Sequence, residues 1–145
     1  MRLIHIILSC SFLLFAVVPA VALTPENLIS AESKALAGNI KSQVDVGDYY
    51  YAKSQYTEAL KWYQMAAKQG QFDSRMRIAH MYINGKGVPA NLVKGYVLYR
   101  KILDNHNLHP ESQQYYENYV KDLATKLSPA ELAEAEKAIL QPWAF

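Results

Sequence analysis

Cysteine is almost missing from this chain: one residue, Cys10, occurs in the whole sequence. A disulfide framework and a zinc site made of several thiolates are therefore excluded. A charge surplus is missing too, because 15 lysines and arginines face 13 carboxylates and no basic run occurs. This balance argues against a protein that binds nucleic acid or an anionic membrane surface through a charged patch.

Charge is scarcest at the N-terminus, where residues 1–22 have the composition of a secretory signal. Most of these residues are hydrophobic, and Arg2 is the only charged side chain among them. An A-x-A motif closes the run at residues 20–22, so we expect export and cleavage, leaving a single domain over residues 23–145 with no thiol. An uncleaved anchor is the alternative, since the run is long enough to span a bilayer. Lipidation at Cys10 fits less well, because the apolar run before it is short and continues past it.

Strand patterns are missing from the rest of the chain, which predicts an all-α protein. No run of four or more residues alternates apolar and polar between turn signals, whereas the helical period recurs throughout. Ser128 marks the clearest helix start, because a glutamate follows three residues later and a proline occupies the first turn. Helices are predicted at about 25–37, 41–53, 55–69, 72–83, 91–104, 110–127 and 129–140.

An internal repeat organises these helices into pairs. Three pairs of positions in the first helices or just before them are 32 apart: Gly38 and Gly70, Gly47 and Ala79, and Tyr50 and Tyr82. Three pairs in the second helices are 36 apart: Ala59 and Gly95, Tyr63 and Tyr99, and Ala66 and Ile102. The difference predicts a four-residue insertion at about residues 85–88, and a period near 34 residues is typical of helical repeat arrays.

The second unit combines a run of small, apolar and aromatic residues at 74–82 with the Gly85-Lys-Gly-Val-Pro89 loop and the Lys94-Gly95 pair. In these features it resembles a Sel-one-like repeat. The first unit keeps the small and aromatic positions of the pattern but lacks the G-x-G-V loop, as in tetratricopeptide repeats. The resemblance implies a short right-handed α-solenoid of helix-turn-helix repeats, at about 40–70 and 71–107, with capping helices at 25–37 and 110–140.

The same resemblance implies a non-enzymatic scaffold for a protein or peptide partner, with no cofactor and no nucleic acid. Together with the leader it suggests the envelope or the secreted space of a bacterium. Two alternatives remain open. One is an exported hydrolase acting on cell-wall or β-lactam substrates, although such relatives are typically rich in cysteine. The other is a structural module that only dimerises.

The repeat phase predicts a binding face on the first helix of each unit. Gly47 and Tyr50 face the packed side, so the opposite side carries residues spaced by three and four. In the resembling families this side lines a concave groove that holds a partner, although a two-repeat array with no ligand there is also possible. The predicted groove residues are Lys41, Val44, Asp48, Tyr51, Asp73, Met76, His80 and Ile83.

Asp48 and His80 are 32 residues apart, which is the repeat interval of the first helices, so they occupy equivalent groove positions in the two repeats. We expect the two side chains to meet, which would favour the protonated imidazole and make partner binding depend on pH near neutrality.

Other chemistry-bearing residues have structural interpretations. The Gly85-Lys-Gly loop lacks the length and the following Ser/Thr of a phosphate cradle, which favours a tight turn. His106 and His109 straddle a loop and lack a third firm ligand, so a metal site is not predicted there. Ser74 and His80 show only helical spacing, and no catalytic residue is predicted.

Overall fold

A computed structural model of the protein describes residues 23–105 and 108–143, and every regular element within these ranges is an α-helix. The predicted all-α fold is confirmed, and each helix boundary lies within two residues of its predicted position. No helix in the described ranges is long and apolar enough to cross a membrane. The predicted leader, residues 1–22, lies outside them. The helices are α1 (Pro25–Leu36), α2 (Ile40–Ala52), α3 (Tyr56–Lys68), α4 (Phe72–Asn84), α5 (Leu92–Asn105), α6 (Pro110–Thr125) and α7 (Pro129–Ile139).

Helices α1 to α5 pack in chain order, each on the next. The order then changes, because both α6 and α7 pack on α5. Buried alanines and large apolar side chains alternate in the core between these helices, with Tyr63, Ile78 and Ile102 among the most deeply buried. Two stacked helix pairs, α2–α3 and α4–α5, therefore form the centre of the molecule.

Two glycines permit the closest contacts between helices of a pair. A Cβ atom on Gly47 would lie 2.6 Å from Cε1 of Tyr63, and one on Gly95 would lie 3.2 Å from the Ala79 carbonyl oxygen and clash with Ile83 Cγ1. Both distances are shorter than the normal separation of two non-bonded heavy atoms. The prediction that these small residues serve helix packing is confirmed.

The insertion at residues 85–88 forms a turn that docks on the preceding repeat. Gly85 and Gly87 have φ values of +64° and +74°, a left-handed region that favours glycine. A Cβ atom on Gly87 would lie 2.6 Å from the carbonyl carbon of Tyr56, so the loop backbone touches the start of α3 directly. The predicted tight turn is confirmed, and it is also a contact between repeats.

The predicted capping box opens α7. The Ser128 Oγ accepts a hydrogen bond from the Glu131 backbone N–H at 3.3 Å, and the Glu131 carboxylate accepts from the Ser128 N–H at 2.8 Å. The Ser128 backbone N–H and the Ser128 hydroxyl both donate to the Glu131 carboxylate, and they hold the pKa of Glu131 below its usual value. The cap fixes where α7 begins.

Beyond α7 the chain returns to the repeats. The Lys101 ammonium donates to the carbonyl oxygens of Gln141 and Pro142, the latter at 3.1 Å. The Arg75 guanidinium lies 4.5 Å from the centre of the Trp143 ring. The C-terminal segment is thereby attached to α4 and α5, a contact between residues distant in sequence.

Candidate functional site

The predicted groove residues lie on α2 and α4. Lys41, Asp73 and His80 are exposed, whereas Val44, Asp48, Tyr51 and Met76 are half-buried. Ile83 differs from the other predicted groove residues, because it packs directly against Gly95 of α5 and so fills the contact between α4 and α5 instead of lining a groove. Arg77 shares a side of α4 with Asp73 and Met76 by helical spacing. We call the surface formed by these residues without Ile83 the α2–α4 face: Lys41, Val44, Asp48, Tyr51, Asp73, Met76, Arg77 and His80.

At the centre of this face, one carboxylate joins three helices. Asp48 Oδ1 accepts a hydrogen bond from the Tyr63 hydroxyl at 2.6 Å and an ion pair from Arg77 Nη1 at 2.8 Å. The Arg77 guanidinium also lies 5.4 Å from the centre of the Tyr63 ring. Burial and the bond to Asp48 raise the pKa of Tyr63. This Asp48–Tyr63–Arg77 cluster links α2, α3 and α4.

The cluster replaces the expected pair of Asp48 and His80, and that expectation is wrong. His80 Nδ1 contacts the Asn84 side-chain amide at 3.2 Å, and the same amide donates to the His80 carbonyl oxygen at 2.8 Å. Arg77 lies about one turn before His80 on α4, and its longer, permanently charged side chain reaches the carboxylate. The pH dependence expected from the histidine therefore loses its geometric basis.

A second cluster lies where α2 ends and α3 begins. The rings of Tyr51 and Tyr56 meet at 65° with their centres 5.0 Å apart. The Lys86 ammonium, from the turn of the second repeat, lies 4.9 Å from the centre of each ring. The pKa of Lys86 is raised, first by its hydrogen bond with Tyr51. Sequence reasoning missed this cluster, because it treated Lys86 as an exposed turn residue.

The two helix pairs that carry both clusters correspond to a known repeat. The family model of the Sel1 repeat matches residues 40–71 and 73–107, which contain α2–α3 and α4–α5. The chain contains two Sel1 repeats.

A curated relative is also similar to this chain. It is named ERAD-associated E3 ubiquitin-protein ligase component HRD3, from Candida glabrata, and is 30% identical over 108 residues. The alignment takes in 69% of this chain and 13% of the relative, so the chain spans a small part of that protein's length. Sel1 repeats form helical solenoids and mediate protein–protein interaction, and proteins made of them are generally non-catalytic adaptors.

The remaining charged side chains of the α2–α4 face have partners beside it. Lys41 Nζ lies 2.6 Å from the carboxylate of Asp45, one turn along α2, and the side-chain amide of Gln71 donates to Asp73 at 3.2 Å. Such exposed pairs contribute little to stability. They leave the face without a strong field of one sign, which fits recognition by mixed polar and apolar contacts.

The residues weighed for chemistry do not assemble a reactive site. Ser74 is fully buried, whereas His80 is exposed and bonded to Asn84, so they are not a nucleophile and its base. In the described residues no group of three or more histidine, cysteine, aspartate or glutamate side chains is placed to hold a metal. His109 immediately precedes α6, and His106 lies outside the described residues.

A groove of about 600 Å³ separates α5 of the second Sel1 repeat from α7. Val97 and Leu98 lie at its floor and are nearly buried. Its two lysines have partners within the molecule, since Lys94 donates to the Tyr82 hydroxyl at 2.8 Å and Lys101 donates to the C-terminal segment. Both lysines therefore make contacts within the molecule.

Proposed function

We propose that the protein is an exported, non-enzymatic scaffold of the bacterial envelope or secreted space that binds a partner protein or peptide on the α2–α4 face. The leader-like residues 1–22 support export, and the two Sel1 repeats support an adaptor. The relative is named as a component of a ligase, and similarity to 13% of its length supports a shared repeat module without transferring its partners or its compartment.

The observation that carries this proposal is the Asp48–Tyr63–Arg77 cluster. It connects the first helices of both repeats, because the Asp48 carboxylate of α2 accepts from Tyr63 of α3 and pairs with Arg77 of α4. Around it lie a half-buried thioether at Met76, a half-buried ring at Tyr51 and an exposed imidazole at His80. Aromatic, sulfur and arginine groups of this kind are enriched in protein interfaces.

Site-specific photo-crosslinking in the native organism tests the face. Met76 is replaced by a photo-reactive amino acid, and Lys61, which is exposed on α3, is replaced in the control. We expect one dominant adduct of defined mass from Met76 and none from Lys61. Equal adducts from both positions, or none from Met76, would contradict the proposal. An adduct of twice the chain mass would instead support a dimerising module.

A further inference from the structure

Tyr51 and Tyr56 form a corner of two aromatic rings that holds a cation. The ring centres are 5.0 Å apart, and the Lys86 ammonium lies 4.9 Å from both. All three side chains are half-buried. A cation within about 6 Å of a ring centre is attracted by the ring's quadrupole, so each ring contributes to binding the ammonium.

The turn that carries Lys86 is held in place without its side chain. The Lys86 backbone N–H donates to the Met81 carbonyl oxygen at 2.9 Å. Gly87 lies directly against the Tyr56 backbone, and the Thr57 hydroxyl donates to the Gly87 carbonyl oxygen at 3.4 Å. Because these contacts all involve the backbone of the turn, the Lys86 side chain can leave the corner while the turn and the two rings remain where they are.

Another cation could replace Lys86 in its contact with the two rings. Five other cations of the described residues pair with carboxylates, but within the described part of the chain no carboxylate lies within ion-pair distance of Lys86. Its charge is compensated by the faces of the two rings. Another ammonium group would meet the same rings, so no specific charge partner reserves the corner for Lys86.

We propose that the Tyr51–Tyr56 corner is a binding site for a lysine side chain of the partner protein, and that Lys86 occupies it in the free protein. Tyr51 belongs to the α2–α4 face, so the inference rests on the proposed function and names one chemical feature of the partner. The site resembles the aromatic cages that bind ammonium ligands, with a resident lysine that must be displaced.

Occupation of the corner by Lys86 determines how much more weakly a competing ligand binds. Two cation–π contacts at a partly exposed site favour the occupied corner by about tenfold. A competing ligand therefore binds about tenfold more weakly than it would to an empty corner, because only the empty fraction is competent. Removing the Lys86 ammonium should restore that factor.

The test uses the exported chain and two small probes, N-acetyl-lysine methylamide and its uncharged analogue N-acetyl-norleucine methylamide. Binding is followed by proton NMR, from the shifts of the probe methylenes and the tyrosine rings. We expect the Lys86→Gln variant to bind the lysine probe about tenfold more tightly than the unaltered chain, and to leave the norleucine probe unbound. Adding Tyr51→Phe, which keeps the ring but removes the hydroxyl, should weaken binding only in part, whereas adding Tyr51→Leu, which removes the ring, should abolish it.

Equal affinity of the unaltered chain and Lys86→Gln would overturn the inference. So would failure of Lys86→Gln to bind the lysine probe, or binding that survives Tyr51→Leu. Circular dichroism melts of each variant show that the compared chains are folded. The probes need no natural partner, so this result is independent of crosslinking from Met76. If the lysine probe does not bind but Met76 gives an adduct, only the proposed lysine site is refuted. If the probe binds but Met76 gives no adduct, the proposed partner face is refuted.

Discussion

Replacing Gly47 by alanine should destabilise the protein, although alanine favours helices. The added methyl carbon would lie 2.6 and 2.7 Å from two carbons of the Tyr63 ring. Carbon atoms pack best about 3.5–4.0 Å apart, so the overlap is about 1 Å. Tyr63 cannot easily move away, because it is fully buried and its hydroxyl is bonded to Asp48.

The expected magnitude is the difference of two opposing effects. Forcing a methyl group into a well-packed core costs about 1–3 kcal/mol, while the higher helix propensity of alanine over glycine contributes about 1 kcal/mol. The free energy of unfolding should therefore fall by about 1 kcal/mol, since the midpoint of the packing cost exceeds the propensity gain by that amount. The clash itself, once separated from the propensity gain, should amount to about 2 kcal/mol.

A double-mutant cycle with Tyr63→Leu separates the two effects. Urea unfolding of the four chains gives the cost of Gly47→Ala with and without the ring. Without the ring the methyl group has space, so Gly47→Ala should become neutral or stabilising, and the coupling energy should be about 2 kcal/mol. An equal cost in both backgrounds would show that the contact between Gly47 and Tyr63 does not set the spacing of α2 and α3.

Three further predictions concern the ends of the chain. Ser128→Ala should lower the free energy of unfolding by about 0.5–2 kcal/mol in thermal melts at neutral pH. The folded pKa of Glu131 is lowered first by the Ser128 backbone N–H, which Ser128→Ala keeps, and then by the Ser128 hydroxyl, which it removes. The hydroxyl's contribution is present above the ordinary glutamate pKa and is lost as pH falls through the folded value, so that part of the difference between Ser128→Ala and the unaltered chain should disappear in acid. Lys101→Met leaves the Gln141 and Pro142 carbonyl oxygens without their ammonium donor, which should cost about 1–3 kcal/mol and accelerate hydrogen exchange in α7. Mass spectrometry of the protein purified from its native organism should show a chain that begins at Leu23, and a mass that includes residues 1–22 would support the anchor.

The sequence predicted correctly on which helix each groove residue lies, but not which residues these side chains contact. Spacing placed Asp48 on α2 and His80 on α4, and both lie there. The repeat period gives equivalent backbone positions, but it does not say how far each side chain reaches. Arg77 stands about one turn before the position equivalent to Asp48 and takes the carboxylate. A search for long cations one turn from an equivalent position could have identified this pair.

Local chemistry explains why the helices and turns could be predicted from the sequence alone. Prolines at first turns, the serine and glutamate of a capping box, and glycines at positive φ act within a few residues of themselves, so their effect does not depend on the rest of the fold. Repeat arithmetic added the pairing of helices, since equal spacing of small and aromatic residues implies equal packing.

Only the tertiary structure decided which charged and aromatic side chains meet. Lys86 lies on two tyrosines of the preceding repeat, and Ile83 packs on α5 and not in a groove. Lys101 holds a C-terminal segment that is distant from it in sequence. Such contacts depend on the relative placement of several helices and on the rotamers of long side chains. The periodicity of a single helix encodes neither of these. It fixes the direction in which each side chain leaves the helix axis, but not how far the side chain reaches.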